Sequence, residues 1–184
     1  MNRMTDIKTV CVYCGSGPGT NPQFVEAAQA FGKALAESGV GLVYGGGSVG
    51  LMGAVASATL ENGGRVTGII PDFLVKREHA MTDAQEMIVT HDMHERKRLM
   101  FERSDAFIVF PGGFGTMDEM FEILTWKQLQ LHNKPIVIFN YEGYWDPLIT
   151  LMKNIIEVGF AKPVNATYYH VVTELDEIMD VLGY

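Results

Sequence analysis

Residues 111–119, with the sequence PGGFGTMDE, join a glycine-rich turn directly to carboxylate side chains. Glycines let the backbone approach a phosphate closely, and the free N–H groups and dipole at a helix start favour negative charge. The turn therefore predicts an anion site between a strand and a helix. Glu119, one helical turn further in, would repel the same anion unless it faces a different part of the ligand.

Glu119 also has a purely structural interpretation. Thr116 followed three residues later by Glu119, ahead of an apolar helix, matches a capping box, in which the glutamate accepts a hydrogen bond from the N–H of the capping residue. Capping alone would explain the pair. The sequence leaves capping and catalysis both open, and glutamine separates them because it completes a capping box without a charge.

Two cations interrupt the apolar face of a predicted helix that precedes this turn in the sequence. Met93, Arg96, Lys97 and Met100 fall at i, i+3, i+4 and i+7, so they share one face of the helix. Burying unpaired cations is costly. Either they extend past the methionines to solvent, with Asp92 pairing to Arg96, or they face a cleft that contains an anion.

A second glycine loop, residues 45–50 with the sequence GGGSVG, matches the G-x-G-x-x-G pattern between a strand and a helix. In dinucleotide-binding proteins this pattern follows the first strand and an acidic residue follows the next one. Here the pattern follows the second strand, and Asp72 is a poor acidic candidate. The loop is therefore expected to bind a mononucleotide or to allow close packing.

Other reactive side chains give no site of their own. His91 and His94 lack a spaced carboxylate or thiolate to complete a metal site. Cys11 and Cys14 lie in a strand-like run, where their spacing points them to opposite faces, which predicts buried structural thiols. Glu78 lies in an irregular segment and, on the residues alone, is expected to be a solvated loop carboxylate.

These residues are positioned by strands that alternate with helices. The predicted strands are residues 7–14, 41–44, 65–70, 85–90, 106–110, 135–139 and 170–172. The predicted helices are residues 22–38, 51–61, 92–103, 117–131, 146–158 and 174–182. The alternation predicts a single α/β domain over residues 1–184, Rossmann-like and doubly wound, with a mainly parallel sheet flanked by helices. The glycine loops after the first, second and fifth strands would gather at the carboxyl edge of this sheet.

Composition limits the classes of partner. The chain has 184 residues, 47% of them hydrophobic, and a net charge of −8, which argues against a protein that coats nucleic acid or an anionic membrane. Residues 1–9 are polar and no apolar stretch is long enough to span a bilayer, so the expected location is the cytoplasm.

These motifs closely resemble the LOG (Lonely Guy) family of cytokinin-activating enzymes, and the similarity extends from Cys14 to Tyr144. The resemblance implies hydrolysis of the N-glycosidic bond of a cytokinin riboside 5'-monophosphate or AMP, without a metal or cofactor, in a homodimer with active sites near the interface. Many relatives carry the label lysine decarboxylase, but nothing in this sequence resembles a pyridoxal phosphate lysine site. The alternatives are a non-catalytic nucleotide or cofactor carrier and, more distantly, a nicotinamide-dependent oxidoreductase.

The resemblance assigns Arg96 and Glu119 as the catalytic pair and suggests that Glu78 and Thr125 contact the nucleotide. The other expected substrate-binding residues are Gly15, Ser16, Gly45, Gly46, Gly47, Gly50, Met52, Lys97, Pro111, Gly112, Gly113, Phe114, Gly115, Thr116, Met117 and Asp118. In this mechanism Glu119 stabilises a ribosyl cation and Arg96 balances its charge. The methionine-rich helices at residues 93–100 and 117–126 could supply the interface or the core.

Overall fold

Strands and helices alternate along the chain in a computed structural model that describes residues 7–184. The strands are β1 (Thr9–Tyr13), β2 (Gly41–Tyr44), β3 (Val66–Pro71), β4 (Glu86–Thr90), β5 (Ala106–Val109), β6 (Ile136–Phe139) and β7 (His170–Val172). The α-helices are α1 (Gln23–Glu37), α2 (Gly50–Glu61), α3 (Met93–Glu102), α4 (Phe114–Gln128), α5 (Asp146–Glu157) and α6 (Leu175–Leu182).

The strands form one sheet in the order β4-β3-β2-β1-β5-β6-β7, and all six pairings are parallel. The chain builds outward from β1 to β4, then crosses back and builds outward from β5 to β7. This reversal confirms the doubly wound α/β fold. Ligands of such folds bind outside the carboxyl ends of the strands where the order reverses, here between β1 and β5.

A hydrophobic core covers each face of the sheet. Phe31 of α1 and Ile178 of α6 pack in one layer, while Met120 and Ile123 of α4 pack in the other. Side chains of the central strands alternate between these layers, because successive residues of a strand point to opposite faces. The sheet is therefore held rigidly from both sides, which positions the loops at its edge.

Cys11 and Cys14 follow this alternation. Both thiols are free and buried, Cys11 in the α4 layer and Cys14 in the α1 layer. Burial raises the pKa of both thiols. The prediction of structural thiols on opposite faces is confirmed.

The start of α4 differs from the sequence prediction. The helix begins at Phe114 rather than at residue 117, so Gly113 is its capping residue and provides no side-chain hydrogen bond. Thr116 and Glu119 both lie inside the helix, and the predicted capping box between them is wrong. A capping box does occur at the start of α6, where Glu174 and Glu177 exchange hydrogen bonds with each other's backbone N–H.

Residues 1–6, which are part of the polar N-terminal segment considered above, lie outside the described residues. From residue 7 to residue 184, no helix is both long and apolar enough to cross a membrane.

Candidate active site

The three glycine loops meet at the carboxyl edge of the sheet, as predicted. The Gly15 N–H after β1 donates to the Pro111 carbonyl after β5, at 3.0 Å, and the Met52 N–H at the start of α2 donates to the Gly15 carbonyl, at 3.3 Å. Gly50 has a φ of +64°, and a Cβ there would overlap the Ser16 carbonyl. The loops therefore approach each other more closely than bulkier residues would allow.

The start of α4 presents free N–H groups beside this junction. The first N–H groups of a helix have no partner within it, and Gly113 has no side chain that could cap them. Gly113, Phe114 and Gly115 are exposed, whereas Thr116 is buried. A cavity of about 290 Å³ opens beside this turn, lined by Gly15–Gly19, Phe24, Leu51, Pro111–Gly113 and Tyr144. The arrangement suits an anion such as a phosphate.

Arg96 is buried and its guanidinium is fixed by the backbone. Its Nε donates to the Ile69 carbonyl at 3.0 Å, and its Nη2 donates to the Gly45 carbonyl at 2.6 Å. A Cβ at Gly45 would overlap Nη2, so the glycine makes room for the arginine. Asp92 instead caps α3 by accepting from the Glu95 N–H, so the alternative in which Asp92 pairs with Arg96 is wrong.

Glu78 is the carboxylate that Arg96 meets. Its Oε2 lies 3.7 Å from the Arg96 Nη2 and is buried, with no hydrogen-bond partner among residues 7–184. The segment that carries it is fastened to the second glycine loop, because the Ser48 N–H donates to the His79 carbonyl and the Met81 N–H to the Gly46 carbonyl. The expectation of a solvated loop carboxylate is therefore wrong, and Glu78 retains an acceptor for a ligand or water.

Glu119 lies in the same buried region. Burial raises the pKa of its carboxyl to about 7; Arg96 opposes this shift, while Asp118 and Glu78 add to it. Such a carboxyl is partly ionised at neutral pH. It can carry a negative charge opposite a cation or exchange a proton during a reaction.

Lys97 faces two carboxylates of α4. Its Nζ lies 3.0 Å from the Glu122 Oε2 and 3.1 Å from the Asp118 Oδ2. Burial disfavours the ammonium, but the hydrogen bonds that Lys97 donates to Glu122 and Asp118 outweigh this and raise the pKa of Lys97. Of the two alternatives for Lys97, the structure favours a facing anion, and this anion is a pair of carboxylates from the neighbouring helix.

The described chain brings all but one of the expected site residues to this edge of the sheet. Met52 lies with its sulfur against Gly45 and Gly47. Thr125 is exposed and lies nine residues after Thr116 on α4, about 13 Å along the helix axis. It lines a groove between α4 and α5 instead.

Two further residues of the site, Glu122 and Tyr144, were not predicted from their sequence pattern. Glu122 follows Asp118 at i+4 on α4, and this spacing could have indicated a shared partner. The Tyr144 hydroxyl donates to the Gly112 carbonyl, and only the resemblance, which extends to this residue, pointed toward it. His91 and His94 are exposed, and residues 7–184 contain no group of three or more histidine, cysteine or acidic side chains that could hold a metal ion.

The doubly wound parallel sheet defines a Rossmann-like α/β protein. Its candidate anion site is the open helix start at the switch point, next to a buried arginine and carboxylate. The family model described as "Possible lysine decarboxylase" matches residues 52–182. The chain therefore belongs to this family, the LOG family.

Two relatives illustrate the similarity. A cytokinin riboside 5'-monophosphate phosphoribohydrolase of Rhodococcoides fascians is 47% identical over 157 residues, which cover 85% of this chain and 79% of the relative. A protein of the same name from Arabidopsis thaliana is 44% identical over 157 residues, which cover 85% of this chain and 72% of the relative.

Solved structures share the fold at lower identity. A molybdenum cofactor binding protein from Rippkaea orientalis has a TM-score of 0.73 and 19% identity, covering 98% of both chains. A molybdenum cofactor carrier protein from Chlamydomonas reinhardtii has a TM-score of 0.72 and 20% identity, covering 95% of both chains. At this identity the similarity supports the Rossmann-like fold alone.

The name "possible lysine decarboxylase" does not fit the lysine at this site. A pyridoxal phosphate decarboxylase needs a lysine amine that can form a Schiff base. Lys97 is held as an ammonium by Asp118 and Glu122. The site residues fit hydrolysis of a phosphorylated ligand better than Schiff-base chemistry.

Proposed function

We propose that this protein hydrolyses the N-glycosidic bond of a nucleoside 5'-monophosphate, either a cytokinin riboside 5'-monophosphate or AMP, and releases the free base and ribose 5-phosphate. The observation that supports this most strongly is the position of Glu119. Its buried carboxyl, with a pKa of about 7, lies one helical turn beyond the open start of α4. Gly115 and Glu119 are separated by about 6 Å along the helix axis, comparable with the span from a 5'-phosphate to the anomeric carbon.

The proposed reaction assigns a separate task to each group. The N–H groups at the start of α4 hold the 5'-phosphate, and Thr116 and Ser16 lie beside them. As the bond between the anomeric carbon and the base nitrogen breaks, its electron pair leaves with the base, which takes up a proton. The Glu119 carboxylate stabilises the ribosyl cation and accepts a proton from the attacking water.

Arg96 and Glu78 complete the proposed site. The guanidinium of Arg96 is already oriented by two backbone carbonyls, so it balances the negative charge of Glu119 without reorganisation. The Oε2 of Glu78, which has no hydrogen-bond partner among residues 7–184, offers an acceptor to a hydroxyl or amino group of the nucleotide. The names of the Rhodococcoides and Arabidopsis relatives support the same substrate class.

A substrate panel tests the proposal. Purified protein is incubated with AMP, with a prenylated adenosine 5'-monophosphate and with adenosine, and the released base is quantified by chromatography. We expect base from one or both monophosphates at least tenfold faster than from adenosine, and the ratio of their kcat/KM values defines the base preference. Tight binding of every monophosphate without release of base would favour the carrier alternative and contradict hydrolysis.

We also propose a homodimer, with the groove between α4 and α5 at the interface. Large apolar side chains are exposed around this groove; Phe160 is 88% exposed. Thr125 lies in the same groove. A second copy packed here would place Thr125 at a shared boundary, which is the arrangement in which its expected contact with a nucleotide could be made.

We place this reaction in the cytoplasm, with no nucleic acid or membrane as partner. The net charge of −8 supports this because both surfaces attract basic proteins. The two buried free thiols are also typical of a reducing compartment.

A further inference from the structure

Tyr144 contacts the glycine-rich turn before α4 from a different part of the fold. It follows β6, yet its hydroxyl donates to the Gly112 carbonyl in the loop after β5. It lines the cavity beside the turn on one side and an apolar groove with Phe114, Met117 and Leu151 on the other. Nothing in the proposed reaction assigns a task to this hydroxyl.

The hydroxyl determines the direction of the next N–H group. In a planar trans peptide the carbonyl of one residue and the N–H of the next point in opposite directions. A carbonyl of Gly112 directed at Tyr144 therefore directs the Gly113 N–H away from Tyr144. Within residues 7–184 no acceptor takes this N–H, so it is free for a ligand.

The preceding peptide is held in the same way. The Pro111 carbonyl accepts from the Gly15 N–H, which directs the Gly112 N–H to the opposite side. Two consecutive peptides of a glycine turn, which would otherwise rotate easily, are thus each held by one hydrogen bond from another part of the chain. Only the second bond depends on a side chain and can be removed by substitution.

The Tyr144 ring, although 40% exposed, makes contacts of its own. Its ring packs edge-on against Phe24 and Trp145, with centroid distances of 5.6 and 4.7 Å. The Trp145 N–H donates to the buried Asn140 side chain at 2.7 Å, and the same side chain donates to Asp146 at 2.8 Å. These contacts place the hydroxyl beside the Gly112 carbonyl.

We propose that Tyr144 is a positioning residue that orients the Gly112–Gly113 peptide for the 5'-phosphate and thereby makes the site select phosphorylated ligands. The inference rests on the proposed function, because it names how that same site recognises its substrate class. The hydroxyl acts through the peptide, so it should affect binding of the phosphate and leave the chemistry at the anomeric carbon unchanged.

Tyr144→Phe tests the proposal, because it removes the hydroxyl and keeps the ring contacts. A hydrogen bond of this kind is worth about 1 kcal/mol, so we expect the KM for AMP and the Kd for ribose 5-phosphate to rise about five- to tenfold. The kcat should stay within about twofold, and the Ki of adenosine, which has no phosphate, should not change. Tyr141→Phe, in the same aromatic cluster, should leave all four constants unchanged.

Two results would overturn the proposal: an unchanged Kd for ribose 5-phosphate, or equal weakening for ribose 5-phosphate and adenosine, which would indicate a general structural role. Calorimetry with ribose 5-phosphate needs no turnover. Failure of the wild-type protein to hydrolyse any monophosphate would therefore contradict the proposed function, while the calorimetric comparison would still decide the role of Tyr144.

Discussion

At the scale of single residues, the site depends on a carboxyl that is costly to bury. The folded-state pKa of Glu119, about 7, lies above that of an exposed glutamate, so the folded protein binds this proton more tightly than the unfolded chain. Stability therefore falls as pH rises from about 4.5 to 7, and above pH 7 the full cost is present. A buried carboxyl whose pKa is raised in this way is typical of an active site.

Glu119→Gln should separate function from stability. We expect hydrolysis to fall by on the order of a thousandfold, because the cation loses its counter-charge and the water loses its base. The free energy of unfolding at pH 8 should rise by about 1 to 3 kcal/mol relative to the wild type, and at pH 4.5 the difference should be small. Urea unfolding at both pH values checks this, and an equal difference at both would show that Glu119 is not raised in pKa.

The pH dependence of turnover follows from the same group. The reaction needs the Glu119 carboxylate, so kcat/KM for AMP, which reports the free enzyme, should fall toward acid pH with an apparent pKa near 7. An acid limb near the pKa of an ordinary glutamate, about 4.3, would contradict the assignment. Glu78→Gln serves as a comparison, because it removes the neighbouring carboxylate that raises the Glu119 pKa and should move the limb to lower pH.

At the scale of elements, the order of strands and helices could be predicted because each strand is a short apolar run between helical patterns. The start of α4 could not, because Thr116 and Glu119 match a capping box while Gly113 has no side chain to signal a cap. The burial of Glu78 could not be predicted from the sequence either, since it depends on backbone hydrogen bonds between its segment and the second glycine loop.

Position 45 in the second glycine loop requires glycine because Arg96 packs against it, and the sequence pattern does not show this. Gly45→Ala should displace the Arg96 guanidinium from its carbonyl partners, lowering kcat/KM for AMP by about a hundredfold and stability by about 1 to 3 kcal/mol. Gly41→Ala, at the start of the strand β2 that precedes this loop, is the matched control, because a Cβ there meets its nearest neighbour at 3.4 Å. Equal activity of the two variants would show that Gly45 does not serve to accommodate Arg96.

Lys97 and Glu122 should couple α3 to α4. Both side chains are largely buried, at 10% and 25% exposure, so their interaction is less screened than a surface pair. A double-mutant cycle with Lys97→Met and Glu122→Gln should give a coupling energy of about 1 kcal/mol in unfolding experiments. A coupling energy near zero would mean that Glu122 does not hold Lys97, which could then bind the substrate instead.

At the scale of the whole molecule, the gathering of three glycine loops could be predicted because parallel strands share a carboxyl edge. The groove between α4 and α5 could not, because apolar stripes on the methionine-rich helices fit a core as well as an interface. In the structure Met100 and Met120 are core residues, whereas Phe121 and Leu124 line the groove.

The proposed dimer can be disrupted at this groove. Wild-type protein should elute with a light-scattering mass near twice 20.4 kDa, and Phe160→Asp should shift it toward the monomer and reduce turnover. Val164→Asp, an exposed apolar position outside the groove lining, is the comparison variant and should remain dimeric. A monomeric wild type with full activity would contradict the interface.

Hydrolysis of the N-glycosidic bond is tested by the stoichiometry of the products formed from a nucleoside 5'-monophosphate. Proton and phosphorus NMR should show free base and ribose 5-phosphate accumulating in equal amounts with the wild-type protein, without inorganic phosphate, and neither product with Glu119→Gln. Absence of base with AMP and with a prenylated adenosine 5'-monophosphate, or equal rates for the wild type and Glu119→Gln, would contradict it.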